Sequence, residues 1–311
     1  MDGMSGLVSW TDTQWKRVRQ AVTEEANRVR VASSFLPTYG PLPPSTQVVP
    51  SEVVNEDELK VDDAATTRIL ELWVDIELSQ QQLAEEDLSS AILLFRRAAN
   101  LVARAEDWTI FSGRPREYGD HKTPDLGKQL RVRGGLQVKQ GAEGDSAGKR
   151  EVDEADPGTS GLLAAAHHKR QPVPLTGDNL LAEIVAAITA LEQEGHLAPF
   201  FCILSNGAFQ EAQRPVPGSL VLPSDRITPF LGHTLLRTST IPDWQGLVVS
   251  LAGDPVDLAV ASDLTPQVLN VNDEGRYRFR VFERFVLRVK ERRALARLNF
   301  TAPPTPEHHA L

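Results

Sequence analysis

Polar and apolar positions alternate most regularly near the end of the chain. From Tyr277 to Lys290, one face carries Tyr277, Phe279, Val281, Phe285, Leu287 and Val289, interrupted only by Glu283. The other face carries Arg278, Arg280, Arg284, Arg288 and Lys290. A period of two over this length predicts a half-buried strand, because successive side chains point to opposite faces. At ~3.3 Å per residue it spans roughly 45 Å, against about 5–6 residues for a usual strand. Such a strand needs a long partner. Its row of cations needs acidic company from elsewhere, either in this chain or in another subunit.

A helical period rules the other end. Thr11 is placed to cap a helix running to Ala32, with Gln14 as the reciprocal partner and Trp10 and Trp15 as a hydrophobic staple. Trp15, Val18, Val22, Ala26 and Val29 form its apolar stripe. Five prolines between Pro37 and Pro50 then stop any helix, and an acidic stretch follows with Glu52, Glu56, Asp57 and Glu58. This segment reads as an extended arm. The run from Ile69 to Ile76 reads as a strand. From Leu88 to Trp108 a second helix buries Leu88, Ile92, Phe95, Ala98, Val102 and Ala105, with Asp87 as its expected cap. At roughly 30 Å it is long enough to back the long strand.

Periodicity fails from Arg114 to Pro157, which reads as an inserted polar segment with a short ribbon near Leu130 to Val138. A third amphipathic helix covers Leu180 to Glu194 and stops at Gly195. A buried strand, Phe200 to Leu204, follows, then a short helix near Ala208 to Gln213. The next segment carries Pro215, Pro217, Pro223 and Pro229 and reads as a loop. Strands are expected at Gly246–Leu251 and Leu258–Ser262, and disorder from Thr301 to Leu311.

Composition narrows the class. The chain has 311 residues and a formal net charge of −9, which argues against a general nucleic-acid binder. Its single cysteine, Cys202, excludes an intrachain disulfide framework and lies in an apolar run. No secretory signal is visible, and no apolar run approaches the ~18 residues of a membrane span, so a cytoplasmic protein is expected. Neither a phosphate-binding glycine loop nor metal-spaced His and Cys residues occur. The adjacent His167 and His168 should point apart on any regular element. Ser205 resembles a strand-to-helix turn, with Asp225 and His233 downstream, but no nucleophile elbow surrounds it and a helix-capping role is the simpler reading. No metal and no catalytic set are expected. The balance moves towards a binding or structural protein.

Several blocks, in order, resemble the encapsulins, the shell proteins of bacterial and archaeal nanocompartments once called linocin-like bacteriocins. They are Trp15 with its helix and Tyr39-Gly40-Pro41-Leu42; Asp87-Leu88-Ser89 at the head of the second helix; and Ala105-Glu106-Asp107 with Ile110-Phe111-Ser112-Gly113 at its end. Gly158-Thr159-Ser160-Gly161, Glu194 to Phe200, Val248 to Leu251, Ala261-Ser262-Asp263-Leu264 and Phe282-Glu283-Arg284-Phe285 continue the series. The resemblance implies an α+β chain with the fold of tailed-phage major capsid proteins. On that basis 1–36 is an N-terminal lumenal helix, 37–76 the extended arm and 77–113 the spine helix of a peripheral domain. The insert is 114–157, an axial domain covers 158–245, peripheral strands cover 246–300 and a tail covers 301–311.

The same resemblance implies a closed icosahedral homo-oligomer, a virus-like particle. It would enclose a cargo enzyme, such as a dye-decolourising peroxidase or a ferritin-like protein, held through a C-terminal targeting peptide. Small molecules would pass through pores. Neither nucleic acid nor membrane is an expected partner. It places cargo docking at Trp15, Val18, Val22, Ala26, Val29, Asp263 and Leu264, and pore lining at Arg214, Pro215, Val216, Pro217 and Gly218. Pairing of the acidic arm (Glu52, Glu56, Asp57, Glu58) with Arg280 and Arg284 across a subunit interface is a further expectation. There are departures. Where members carry an Arg and an Asp after the first helix, this chain has Ser33 and Pro37, so those charged contacts to cargo are absent. Where some members hold a flavin against a Trp, it has Gln80-Gln81-Gln82, so no flavin and no other cofactor is expected. The rival readings are a viral or prophage major capsid protein and a hydrolase built on Ser205 and His233.

Overall fold

The computed structural model describes residues 7–55, 58–62, 65–113, 130–133, 137–139, 160–215, 218 and 220–302. The chain begins with helix α1 (Asp12–Val29), capped reciprocally by Thr11 and Gln14. Short strands follow: β1 (Thr38–Tyr39), β2 (Val48–Pro50), β3 (Val53–Asn55), β4 (Lys60–Asp62) and β5 (Ala65–Arg68). Strand β6 (Leu70–Leu78) and the single turn α2 (Gln80–Leu83) lead into the spine helix α3 (Ser89–Ser112). Next come β7 (Leu130–Arg133), β8 (Gln137–Lys139), α4 (Leu162–Ala165), β9 (His168–Lys169), β10 (Val173–Pro174), α5 (Gly177–Gln193), β11 (Phe200–Ser205) and α6 (Asn206–Ala212). The chain closes with α7 (Pro223–Leu231), β12 (Leu236–Thr238), β13 (Gln245–Ser250), β14 (Val256–Val271), β15 (Tyr277–Val289) and β16 (Leu295–Thr301).

The long strand is β15, and its partner is as long as its length demanded. It pairs antiparallel with the 16-residue β14 on one side and with β6 on the other, in a five-stranded sheet of order β1-β14-β15-β6-β7. Helices α1 and α3 cover this sheet. Their junction is an aromatic cluster: Trp10 stacks on Phe279 with ring centroids 5.4 Å apart, and Phe95 meets the same ring edge-on at 5.4 Å. Such pairs contribute about 0.5–1.5 kcal/mol beyond the area they bury.

The expected strand at Leu258–Ser262 is only the first part of β14. Register shifts between Val260 and Ser262, between Ser262 and Thr265, and between Val268 and Asn270 erase the alternation that marks a strand in sequence. Pro266 is tolerated because β1 pairs with β14 only at Leu258 and Ala259, so among the described residues no strand borders the other edge at Pro266. Gly40 sits where that edge is approached most closely. Its φ is +131°, and a Cβ there would lie 2.9 Å from the Val260 carbonyl oxygen.

A second sheet, of order β10-β16-β13-β11-β12 with β9 beside β16, carries α5, α6 and α7 over a separate core that includes Phe200, Cys202, Leu204, Ile184 and Val248. Strands β13 and β16, expected alongside the long strand with the rest of 246–300, lie in this second sheet instead, because β13 bonds to β11 on one side and β16 on the other. Likewise β6, expected in the arm, pairs with β15 in the first sheet.

Four local expectations change. The spine helix starts after Leu88, whose backbone is left-handed; its Ser89 amide donates to Asp87, and the Ser90 amide and hydroxyl donate to the two oxygens of Glu85. The proline-rich stretch after Pro217 contains helix α7, with Pro223 in its first turn, where a missing N–H does no harm, and Ile227 and Leu231 anchoring it in the second core. Leu130–Arg133 and Gln137–Lys139 do not pair with each other as a ribbon; they extend β6 and β5. Thr301, expected in the tail, instead ends β16 beside Pro174, and 303–311 lie outside the described residues, as does the rest of the insert. Its two ends meet: a Cβ on Gly161 would fall on the Gly113 nitrogen and the Phe111 carbonyl, so the chain leaves and rejoins the fold at one point.

Candidate functional site

The face of α1 nominated for docking is largely interior. Val18, Val22 and Ala26 are buried and pack into the core beneath α1, so they present no surface to a ligand. An apolar stripe on a helix beside a larger helix is used first to bury itself. Trp15 and Val29 are half-buried at the rim, and Trp15 lies edge-on to Trp10 at 5.0 Å. Leu264 is buried, whereas the Asp263 side chain is exposed.

Sequence reasoning missed what joins these elements. Arg30, immediately after α1, has a side chain only 8% exposed, and its guanidinium meets three carboxylates from three other elements. Its Nη1 donates to Asp263 Oδ1 at 2.8 Å on the irregular part of β14. Its Nη2 donates to Glu283 Oε1 at 2.6 Å in the middle of β15, and its Nε faces Glu106 Oε2 on α3. Beside them, both oxygens of the buried Asp107 accept the Val31 and Ala32 amides at 2.9–3.1 Å, tying off the end of α1. One cation therefore faces several acids inside the fold. Burial, opposed by Arg30, pushes Glu106 up to about 8 and Asp107 up to about 7, and it holds Glu283 well above the usual carboxylate range. The signal for this cluster in the sequence was Glu283, the single break in an apolar face.

The cationic face of β15 is also matched within the chain. Arg280 makes a two-pronged contact with Asp75 of the adjacent strand, at 2.7 and 3.1 Å, and lies over the Trp73 ring. Arg278 reaches Asp75 and Glu77. Arg284 donates to the carbonyls of Pro44 and Thr46. Arg288 is buried against Asp257, reaches Glu52 at 3.0 Å and lies over Tyr39. Arg280 and Arg284, expected to meet the acidic arm of another subunit, thus have partners within their own chain. Register puts β6 acids opposite β15 cations, so the arm is stapled to its own sheet by Arg284 and Arg288. Glu58 pairs locally with Lys60. Glu56, Asp57, Val216 and Pro217 lie outside the described residues. Arg214 pairs with Glu211.

Besides single exposed apolar side chains such as Leu93 and Leu197, two groups of them remain uncovered. On the arm, Leu59 at the turn between β3 and β4 is 89% exposed and Val61 is 56% exposed, with Tyr39 and Val48 also exposed. Beside the second sheet, Leu220, Val221 and Phe230 are exposed around the start and end of α7.

The hydrolase reading finds no geometry. Ser205 is buried and its Oγ caps α6 through the Ala208 amide, while the His233 ring stacks on Phe201 at 4.5 Å. Burial raises the Cys202 thiol far above its ordinary range. His168 and His167 touch edge-on rather than pointing apart, and His168 pairs with Glu194. Among the described residues no cluster of three metal-binding side chains occurs, and no helix is long and apolar enough to cross a membrane.

A protein-family profile described as "Encapsulating protein for peroxidase" matches residues 153–286. A curated relative, the type 1 encapsulin shell protein EncA of Myxococcus xanthus, is 26% identical over 313 residues, covering 92% of both chains. Both matches make the chain similar to encapsulin shell proteins. Its fold matches the virus-like particle of Pyrococcus furiosus with a TM-score of 0.65 at 13% identity, over 93% of this chain and 100% of the other. It also matches the holo-SrpI encapsulin complex of Synechococcus elongatus (TM-score 0.53, 12% identity, 86% of each). A Gordonia phage Cozz structure is similar too (TM-score 0.53, 12% identity, 89% and 87%). At such identities these structures speak for the fold alone, which is that of tailed-phage capsids and encapsulins.

Proposed function

We propose that this encapsulin-like chain assembles with copies of itself into a closed cytoplasmic shell that encloses a protein cargo. One observation carries the reading: the arm and the region around α7 each leave large apolar side chains bare, Leu59 and Val61 on one and Leu220, Val221 and Phe230 on the other. Uncovered apolar surface on a well-packed chain is surface that a partner covers. In a capsid-like fold with a stapled arm, the partner is a second copy of the chain. Obligate interfaces are built this way, as apolar cores divided between subunits.

Cargo docking, in this reading, uses the rim of α1 rather than its whole stripe: Trp15, Val29 and the exposed carboxylate of Asp263. An extended peptide lying there would place side chains into shallow pockets. The proline-rich turn at Arg214, Pro215 and Gly218 borders the pore. The phage-capsid alternative shares the fold, but a relative that matches 92% of the chain is an encapsulin shell protein. Size-exclusion chromatography and negative-stain microscopy of the purified chain test the proposal. Hollow particles of uniform diameter are expected, and a monodisperse monomer or dimer would reject it.

A further inference from the structure

A cavity of about 470 Å³ lies where the end of α1 and helix α3 meet α6 and the edge strand β12. Three arginines from three elements line it: Arg28, Arg104 and Arg237. The amides of Asn206 and Gln210 and the carboxylate of Asp107 complete the polar lining used here. We propose that this cavity is an anion site that takes a phosphoryl group, as inorganic phosphate or as the phosphate end of a small phosphomonoester.

The charge balance points that way. Three arginines and one aspartate line the cavity, in a chain whose formal net charge is −9. That carboxylate is already engaged, since both Asp107 oxygens accept backbone amides of Val31 and Ala32. Arg28 shares its guanidinium with Glu25. Arg104 makes no hydrogen bond or ion pair among the described residues. Arg237 has no carboxylate partner among them and lies 5.7 Å from the Phe209 ring centroid. The arginines of the long strand are different, because acids or carbonyls meet each of them. Two arginines that line one cavity with no carboxylate partner among the described residues are a local electrostatic demand for an anion. The planar fork of arginine fits phosphoryl oxygens in pairs, and arginine holds its charge at every relevant pH. Asn206 and Gln210 add neutral donors that a tetrahedral oxyanion can use and a metal cation cannot. The volume falls within the usual range of small-molecule sites, about 300–1,000 Å³, so a phosphate carrying a small organic group also fits.

The proposal does not depend on the shell reading, because binding is counted per chain whatever the assembly state. Isothermal titration of the purified full-length protein with inorganic phosphate, in phosphate-free buffer, is expected to show saturable binding with one site per chain. Arg104→Met and Arg237→Met should each weaken it by tenfold or more. Arg17→Met, whose guanidinium donates to the Asp87 carbonyl elsewhere, should leave it unchanged. Arg237 is exposed on an edge strand, so its variant keeps the test alive if the Arg104 variant fails to fold. Glucose 6-phosphate distinguishes the sources: tighter binding than inorganic phosphate assigns the site to a phosphorylated small molecule, and equal or weaker binding assigns it to free phosphate. No saturable binding to the unaltered protein, equal binding by Arg237→Met, or acetate binding as tightly as phosphate would overturn the proposal.

Discussion

Glu283 and Glu106 occupy positions where a carboxylate is expensive to keep ionised, and both are held by the single guanidinium of Arg30. Removing ions from water costs several kcal/mol each even after relaxation, so such a cluster is weak evidence for stability and stronger evidence for geometry. Here it fixes the end of α1 against α3, β14 and β15 together. It also makes the fold pH-sensitive in a stated direction. Glu106 in the folded chain titrates at about 8, well above its ordinary 4.5. Between those values the native state holds a proton that the unfolded chain releases, so stability falls as pH rises through the window. Glu106→Gln removes that titration. Between pH 5.5 and pH 8 the unaltered protein should lose on the order of 1–3 kcal/mol more than the variant, read from unfolding curves at both pH values. Identical losses would show that Glu106 is ionised throughout. Asp107 and Glu283 remain in the variant, so a residual pH dependence in the same direction is expected.

Among the elements, β15 shows what periodicity can and cannot tell. Its limits, its buried face and its need for a long partner were all legible, because alternation is a local property of a strand. The partner's true length was not, since three register shifts hide the alternation of β14. Nor was the company of its cations. They meet Asp75 and Glu77 because antiparallel register places β6 opposite, and register is a property of two strands. Charge reversal at Arg280 should therefore weaken the folded chain itself. Arg280→Glu puts a like charge opposite Asp75 and removes the cover over Trp73, and a destabilisation of about 1–2 kcal/mol is expected in denaturant unfolding of the unassembled chain. A variant that unfolds like the parent and fails only in assembly would restore an intersubunit role for that face.

At the scale of the whole molecule, the two larger cores lie beneath the two larger sheets, and the sites expected to meet other copies lie on the arm and around α7. Leu59, 89% exposed, makes little contribution to its own chain. Leu59→Asp should leave the thermal midpoint of the isolated subunit within a degree or two, while shifting size-exclusion profiles from large particles to small species. Particles of the original diameter would remove the arm turn from the interface. Several boundaries drawn from sequence order alone moved at this scale: β6 left the arm, and β13 and β16 joined the second sheet.

The sequence by itself determined the helices α1, α3 and α5, the long strand, the Gly40 turn and the place of the polar insert. Each of these rests on side chains within a few residues of one another, where spacing and capping chemistry decide the outcome. Tertiary structure alone decided that the apolar stripe of α1 is interior, that Arg30 gathers Glu106, Asp263 and Glu283, and that unmatched Arg104 and Arg237 share one cavity. Arg30 and Glu283 are 253 positions apart in the chain, and no local pattern can report a contact that exists only once four separate elements have packed.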